Sequence, residues 1–296
     1  MARAINVSQG LRLRFVRHPI RVSILGSCRQ DSLYKLFKVS NVRDGLTYPH
    51  SSGEILQALR YLTDLSQGAD VPLYCFRNYQ LGSRVLPRQK LCRAFAKSDV
   101  VVVEIASRQS YVNHGFFIHH EWYDDKNNDT VTSISREDVQ VLIESDFEIE
   151  RNILEIVKLC KGKKVLFITH LSTKRTGKRA DLARLILDIG LRNHLEVFDS
   201  SSMLDLYPID KIMLQEEVLS HFTEFGHEVV GGRLENMILG MLNTRRLTQV
   251  VSNSDERERT IGTHGIGDSI FGSMTLHQEA RRLHRASSVS ISKHSF

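Results

Sequence analysis

Residues 26–28 read Gly-Ser-Cys and close the apolar run RVSIL (21–25). A strand that stops at glycine and passes at once to a hydroxyl and a thiol, ahead of the helix-like RQDSLYKLF (29–37), sets nucleophiles at the carboxyl end of a sheet. Backbone N–H groups at the start of a helix favour negative charge there. Acyl transfer needs that combination, a nucleophile with donors for an oxyanion. The corner is equally an ordinary helix N-cap, so it requires a base. His221 in SHFTEFGHEVVGGRL (220–234) stands in a loop just before a helix, with Thr223 as N-cap and Gly226 small enough for close packing. The last βα connection of a parallel sheet can reach the corner of the first strand. Ser27 is then the nucleophile and His221 its general base. Cys28 is the alternative nucleophile, and its plainer role is a small residue packed behind the corner.

The elements that must position these residues alternate in period. RVSILGS (21–27), DVVVVEIAS (99–107), KKVLFITH (163–170) and LEVFDS (195–200) read as strands, with a short strand near 40. Four consecutive valines suit a central strand covered on both faces. GEILQALRYLTDL (53–65) carries apolar residues at helical spacing, and helices are expected over about 136–160, 177–191 and 223–242. Residues 108–134 read as loop. Strands separated by crossover helices predict a three-layer α/β/α sandwich with a mainly parallel sheet of about five strands, flavodoxin-like in type. Ligands of such sheets bind at the carboxyl ends of the strands. The expected division is a basic arm at 1–20, one α/β domain at 21–243 and a flexible polar tail at 244–296.

The chain has 296 residues, 41% hydrophobic and 25% charged, with a formal net charge of +6. No apolar run of about 18 residues is present, so no membrane span is expected. The Arg-rich first 20 residues read as a basic arm or an organellar presequence and lack a secretory apolar core. The four cysteines, Cys28, Cys75, Cys92 and Cys160, have neither CxxC nor zinc spacing, which suits a reducing, cytoplasmic setting. Positive charge concentrates in KGKKVLFITHLSTKRTGKR (161–179). That density suits a phosphorylated donor or an acidic glycan as well as a solvated face. No helix-turn-helix, zinc-finger or RNP pattern points to nucleic acid.

Taken together, Gly26-Ser27-Cys28, the loop-and-helix DGLTYPHSSGEILQALRYL (44–62), the valine-rich strand, VLFITHLSTKRTGKR and the His221–Gly226 helix start resemble SGNH/GDSL-type hydrolases, most closely the GSCFA branch, over roughly 20–243. The corner is also similar to that of capsular-polysaccharide acetyltransferases, whose Gly-Asn-Cys-Gln it half matches. The resemblance implies a serine esterase or O-acyltransferase acting on an O-acylated carbohydrate or similar polar ester. It places the oxyanion on the N–H groups of Ser27 and Gly45, with Arg108 standing near the family's asparagine. That missing asparagine is one of two departures. The family's last motif is Asp-x-x-His, whereas Val218 stands three residues before His221 and Glu216 and Glu217 are out of register. A Ser-His dyad or a carboxylate from elsewhere must serve, or the scaffold is a non-catalytic glycan- or anion-binding module.

Tyr48, His50 and His170 fall on the expected rim and are read as substrate-binding. His114, His119 and His120 lie in one His-rich stretch without HExxH spacing, read as a substrate-facing or surface loop rather than a metal site. No cofactor is expected, with acyl-CoA as a co-substrate if the protein is a transferase.

Overall fold

The computed structural model describes residues 18–40, 46, 48–63, 70–76, 86–120, 134–214 and 221–261. Five strands form the main sheet: β1 (His18–Leu25), β2 (Phe37–Val39), β3 (Val100–Ile105), and, later in the chain, β7 (Lys164–Thr169) and β8 (Glu196–Phe198). All neighbours run parallel in the order β2-β1-β3-β7-β8. Counted within this sheet alone the order is 2-1-3-4-5, the flavodoxin-like one, and its switch point lies between β1 and β3. The expected α/β architecture with five mainly parallel strands is the observed one.

Both faces of the sheet are covered because β3 is buried along its whole length and apolar apart from Glu104. Val101, Val103 and Ile105 enter one core, with residues of α2 (Ser52–Thr63), α3 (Arg88–Ala96), α4 (Asp146–Leu159) and α5 (Lys178–Arg192). Val100 and Val102 enter the other, with Leu33 and Leu36 of α1 (Leu33–Leu36), Ile212 of α6 (Ile209–Ile212), and Val230, Leu234 and Ile238 of α7 (Glu224–Ile261). Alternation of side chains along a strand produces this division.

The stretch read as loop folds instead into a second sheet. β4 (Gln109–Asn113) pairs antiparallel with β5 (Phe116–Ile118) and with β6 (Val139–Ile143). The β4–β5 turn uses His114 and Gly115, both at positive φ. β6 displaces the start of the long helix expected from 136. That helix begins at Asp146, where Ser145 and Glu148 form a capping box that satisfies the first N–H groups. Chain contacts divide the molecule after Thr244. In the second unit the backbone is helical from Arg245 to Ile261, within the stretch expected as a tail. The arm at 1–17 and residues 262–296 lie outside the described residues. No helix among the described residues is long and apolar enough to cross a membrane.

Candidate active site

The corner after β1 and the end of β3 meet at the switch point. Gly26 is required there by proximity, because a Cβ at this position would lie 2.6 Å from Glu104 Cβ. Ser27 follows as the N-cap of a short 3-10 turn (Cys28–Ser32), and its Oγ accepts the Arg29 N–H at 3.3 Å. The Ser27 hydroxyl donates to Glu104 Oε2 at 2.5 Å, and the Ser27 N–H donates to the same oxygen at 3.0 Å.

The other carboxylate oxygen serves a histidine. His170 Nδ1 lies 2.9 Å from Glu104 Oε1. His170 directly follows β7, whose end is fastened to the turn after β8. Thr169 donates to Asp199 at 3.0 Å, and the Ser200 N–H donates back to Thr169 Oγ1 at 3.1 Å. The register of β7 on β3, with Glu104 opposite Ile168, brings His170 to the carboxylate.

Arg29 completes the charge pattern. Its side chain is buried, donates to the Leu171 carbonyl at 3.3 Å and lies 5.5 Å over the Phe222 ring. Burial lowers its pKa, and the charge of Glu104 opposes that shift. For Glu104 burial acts to raise the pKa, but the hydrogen bond and charge of His170, the Arg29 charge and the Ser27 hydroxyl outweigh it and hold the carboxyl at about 2. Burial moves His170 the other way, below its usual range, against the pull of Glu104. Near neutral pH the pair is an ionised carboxylate accepting the N–H of a neutral imidazole.

The structure thus joins Ser27 and His170, two residues read from the sequence, through a third that was not. Glu104 was the one charged residue in an apolar strand expected to be covered on both faces. A carboxylate so placed must be hydrogen-bonded or paired, and that was its signal.

The remaining candidates take other positions. His221 is exposed, just before Phe222 of the isolated bridge to Met213, and the Ser27 hydroxyl bonds Glu104. The Ser27 N–H expected for an oxyanion is likewise given to Glu104. Arg108 is ion-paired with Asp146 at the start of α4. Tyr48 is half-buried at positive φ in the approach to α2. Cys28 is half-buried as the first residue of the 3-10 turn. Thr223 and Gly226 act as expected: Thr223 Oγ1 accepts the Gly226 N–H at 2.9 Å, and Gly226 packs on the Ile212 carbonyl. Gly45 and residues 215–220, with Glu216, Glu217 and Val218, lie outside the described residues.

His50, read as a rim residue, meets His119 and His120 instead, and these three are the group that could hold a metal ion among the described residues. A cleft of about 670 Å³ between α2, α4 and the small sheet is lined by none of Ser27, Glu104 or His170.

No curated protein matches the chain. The family model of the TviD N-terminal domain matches residues 20–136, which include Ser27, Cys28 and Glu104. Solved structures similar to the chain include a lipase/acylhydrolase from Enterococcus faecalis, at 14% identity over 75% of this chain and 96% of that one, with a TM-score of 0.36. A putative acylhydrolase from Bacteroides fragilis is 14% identical over 78% and 91%, with a TM-score of 0.36. A catalytic mutant of an acetylxylan esterase from Geobacillus stearothermophilus is 11% identical over 73% and 93%, with a TM-score of 0.34.

Proposed function

We propose that this corner performs acyl-ester chemistry, as a hydrolase or O-acyltransferase of the SGNH type, with His170 as its base. One observation carries the reading: Glu104 accepts the Nδ1–H of His170, which leaves the Nε2 lone pair as a general base. The carboxylate missing before His221 is supplied from the central strand to a different histidine.

The nucleophile that fits best is Cys28. Ser27 already gives both its hydroxyl hydrogen and its N–H to Glu104 and accepts from Arg29, so it acts as a tie between strands. Cys28 stands half-buried at the start of the 3-10 turn, and its charge and that of Arg29 interact. His170 Nε2 takes the thiol proton, and sulfur attacks the ester carbonyl carbon. The tetrahedral intermediate collapses, the alcohol leaves with the proton from His170, and a thioester remains. Water or an acceptor hydroxyl, deprotonated by His170, then releases the acyl group. A second reading keeps Ser27 as nucleophile with His221 as base. The 2.5 Å bond favours it to the extent that a carboxylate already polarises the hydroxyl, yet a carboxyl held at about 2 is a weak proton acceptor.

For substrate we infer an O-acylated, anionic carbohydrate or a phosphate-bearing acyl donor such as acyl-CoA. Lys174 and Arg175 are exposed on the loop that follows His170, Lys178 and Arg179 on the first turn of α5, and the charge of Arg179 is felt at both His170 and Arg29.

The test is turnover of p-nitrophenyl acetate and acetyl-CoA by the wild type and by Cys28→Ala, Ser27→Ala, His170→Ala and His221→Ala. Cys28→Ala and His170→Ala should each lose about 10²-fold or more in kcat, and His221→Ala should stay close to wild type. Loss at Ser27 and His221 with Cys28→Ala active moves the nucleophile to Ser27. A folded wild type that binds acidic glycans but turns over neither ester is a binding module.

A further inference from the structure

We infer that His50, His119 and His120 form a binding site for a divalent cation of the zinc class, apart from the Ser27–Glu104–His170 corner and independent of the esterase reading. Three imidazoles from two separate segments converge. Their ring centroids lie 5.1 Å apart for His50 and His119, 4.6 Å for His50 and His120, and 4.3 Å for His119 and His120. One nitrogen from each ring falls within 4.8 Å of the other two. His119 is 1% exposed and the other two are half-buried.

Both backbones that deliver the rings are fixed. The His50 N–H donates to Glu54 at 2.8 Å, and its carbonyl accepts the N–H groups of Ala106 at 2.8 Å and Ser107 at 3.1 Å. His119 and His120 directly follow β5, which Gln57 of α2 clamps with two hydrogen bonds to Phe117, at 2.7 Å and 2.9 Å. Since β3 ends at Ile105, His50 is moored just past its carboxyl end. The site therefore lies at the sheet edge where ligands of this fold bind.

The donor set selects the metal. Imidazole suits zinc, copper, nickel and iron, and an all-nitrogen set disfavours magnesium and calcium. A zinc ion about 2.0–2.1 Å from each nitrogen needs the nitrogens roughly 3.3 Å apart. The rings must close by about 1.5 Å at most from the 4.8 Å limit, which ring rotation supplies. Three imidazoles in mutual contact would repel one another on protonation, whereas a shared cation bonds them as neutral ligands. Three protein ligands leave a fourth position for water or a substrate oxygen, the pattern of an open rather than a closed zinc site.

The experiment uses the full chain without an affinity tag, stripped with a chelator. Zn²⁺ is titrated by calorimetry and Co²⁺ by visible absorption, for wild type, His50→Gln, His120→Gln and Cys28→Ser. The expected result is one cation per wild-type chain, with the intense absorption of four-coordinate Co²⁺ and no thiolate charge-transfer band. Each His variant should bind roughly 10²-fold more weakly or worse, at or beyond the top of the range that loss of an outer partner costs, and Cys28→Ser should bind as wild type. Melting of the stripped proteins shows whether each variant is folded. If one is not, Cu²⁺ EPR of the wild type decides, by nitrogen hyperfine structure from imidazole ligands. No binding by the wild type, binding undiminished in both folded His variants, or a sulfur-ligated spectrum overturns the site.

Discussion

Glu104 Oε1 and His170 Nδ1 lie 2.9 Å apart, one on the central strand and the other just beyond the end of its neighbour. Parallel pairing brings the two backbones together, and the side chains complete the contact. The second oxygen of the same carboxylate holds Ser27, so a single side chain sets the geometry of the corner and the tautomer of His170. The charge of Arg29 helps to balance the buried carboxylate.

Replacing the carboxylate should therefore change both the rate and its pH dependence. Glu104→Gln is expected to lose about 10²-fold or more in kcat, by analogy with losing the carboxylate that orients a catalytic histidine. Glu104 raises the pKa of His170, which burial already lowers. Without it the acid limb of kcat/KM, expected below the usual histidine value of about 6.5 in the wild type, should move lower still. A mainly structural role for Glu104 would leave that limb in place. Rate–pH profiles of the two proteins are the check.

The same residue makes a stability prediction. Its folded pKa of about 2 is depressed, so its contribution is present above the unfolded value of about 4.3 and is lost as pH falls towards 2. At about 1.4 kcal/mol per unit the contribution is ~3 kcal/mol. Urea unfolding of the wild type should show that loss between about pH 4.5 and pH 2.5, and Glu104→Gln should lack it.

Glu54 works in the opposite sense. Burial, opposed by the N–H groups of His50 and Ser51 and helped by the charge of Glu144, raises its carboxyl to about 8. A raised folded pKa means that the folded chain binds the extra proton between about pH 4.5 and 8, so stability is full below that window and falls as pH rises through it. Glu54→Gln keeps an acceptor for His50 and removes the titration. The expected outcome is a flatter unfolding free energy between about pH 5 and 8, with the variant gaining on the wild type at the upper end. A parallel decline in both proteins would refute the assignment.

How much of this was legible in the sequence depended on period and length. Four valines in succession announced a strand buried on both faces, and the Gly-Ser-Cys run announced a corner at its neighbour's end. The flavodoxin-like order followed from the alternation of strand and helix. The small sheet did not, because β4 and β5 are five and three residues long and polar in part, too short for a period to emerge. β6 hid inside an apparent helix, since VQVLI is apolar enough to extend a helical pattern that the Ser145 capping box in fact starts later. Glu104 belongs to no spaced motif, being a lone carboxylate between Val103 and Ile105. The contact between Glu104 and His170 spans 66 residues, and only strand register discloses it.

Gly26 should tolerate no side chain. A methyl group there would meet Glu104 Cβ at 2.6 Å, so the end of β1 or the Glu104 side chain must shift. Overpacking of this kind costs about 1–3 kcal/mol. Activity should fall further than stability implies, because the displaced carboxylate orients both Ser27 and His170. Gly26→Ala is expected to remain folded at 25 °C with kcat reduced by roughly 10²-fold. Near-normal kcat in a destabilised protein would show that the close approach serves packing alone.

The docking of α7 can be separated from its helix propensity by two glycines six residues apart. A Cβ at Gly226 would lie 2.2 Å from the Ile212 carbonyl oxygen, a backbone atom that cannot move aside cheaply. At Gly232 a Cβ meets nothing within 4 Å. In a helix interior alanine is favoured over glycine by about 1 kcal/mol. Gly232→Ala should therefore raise the unfolding free energy by about 0.5–1 kcal/mol. Gly226→Ala should lower it by about 1–3 kcal/mol, through the Thr223 cap that holds the first turn against α6. Because Phe222 immediately precedes that turn and lies under Arg29, only the Gly226 change should also disturb the active corner. Opposite signs in denaturant unfolding, with activity lost in Gly226→Ala alone, are the expected pair of results. Equal effects of the two substitutions would mean that α7 does not depend on close contact with Ile212.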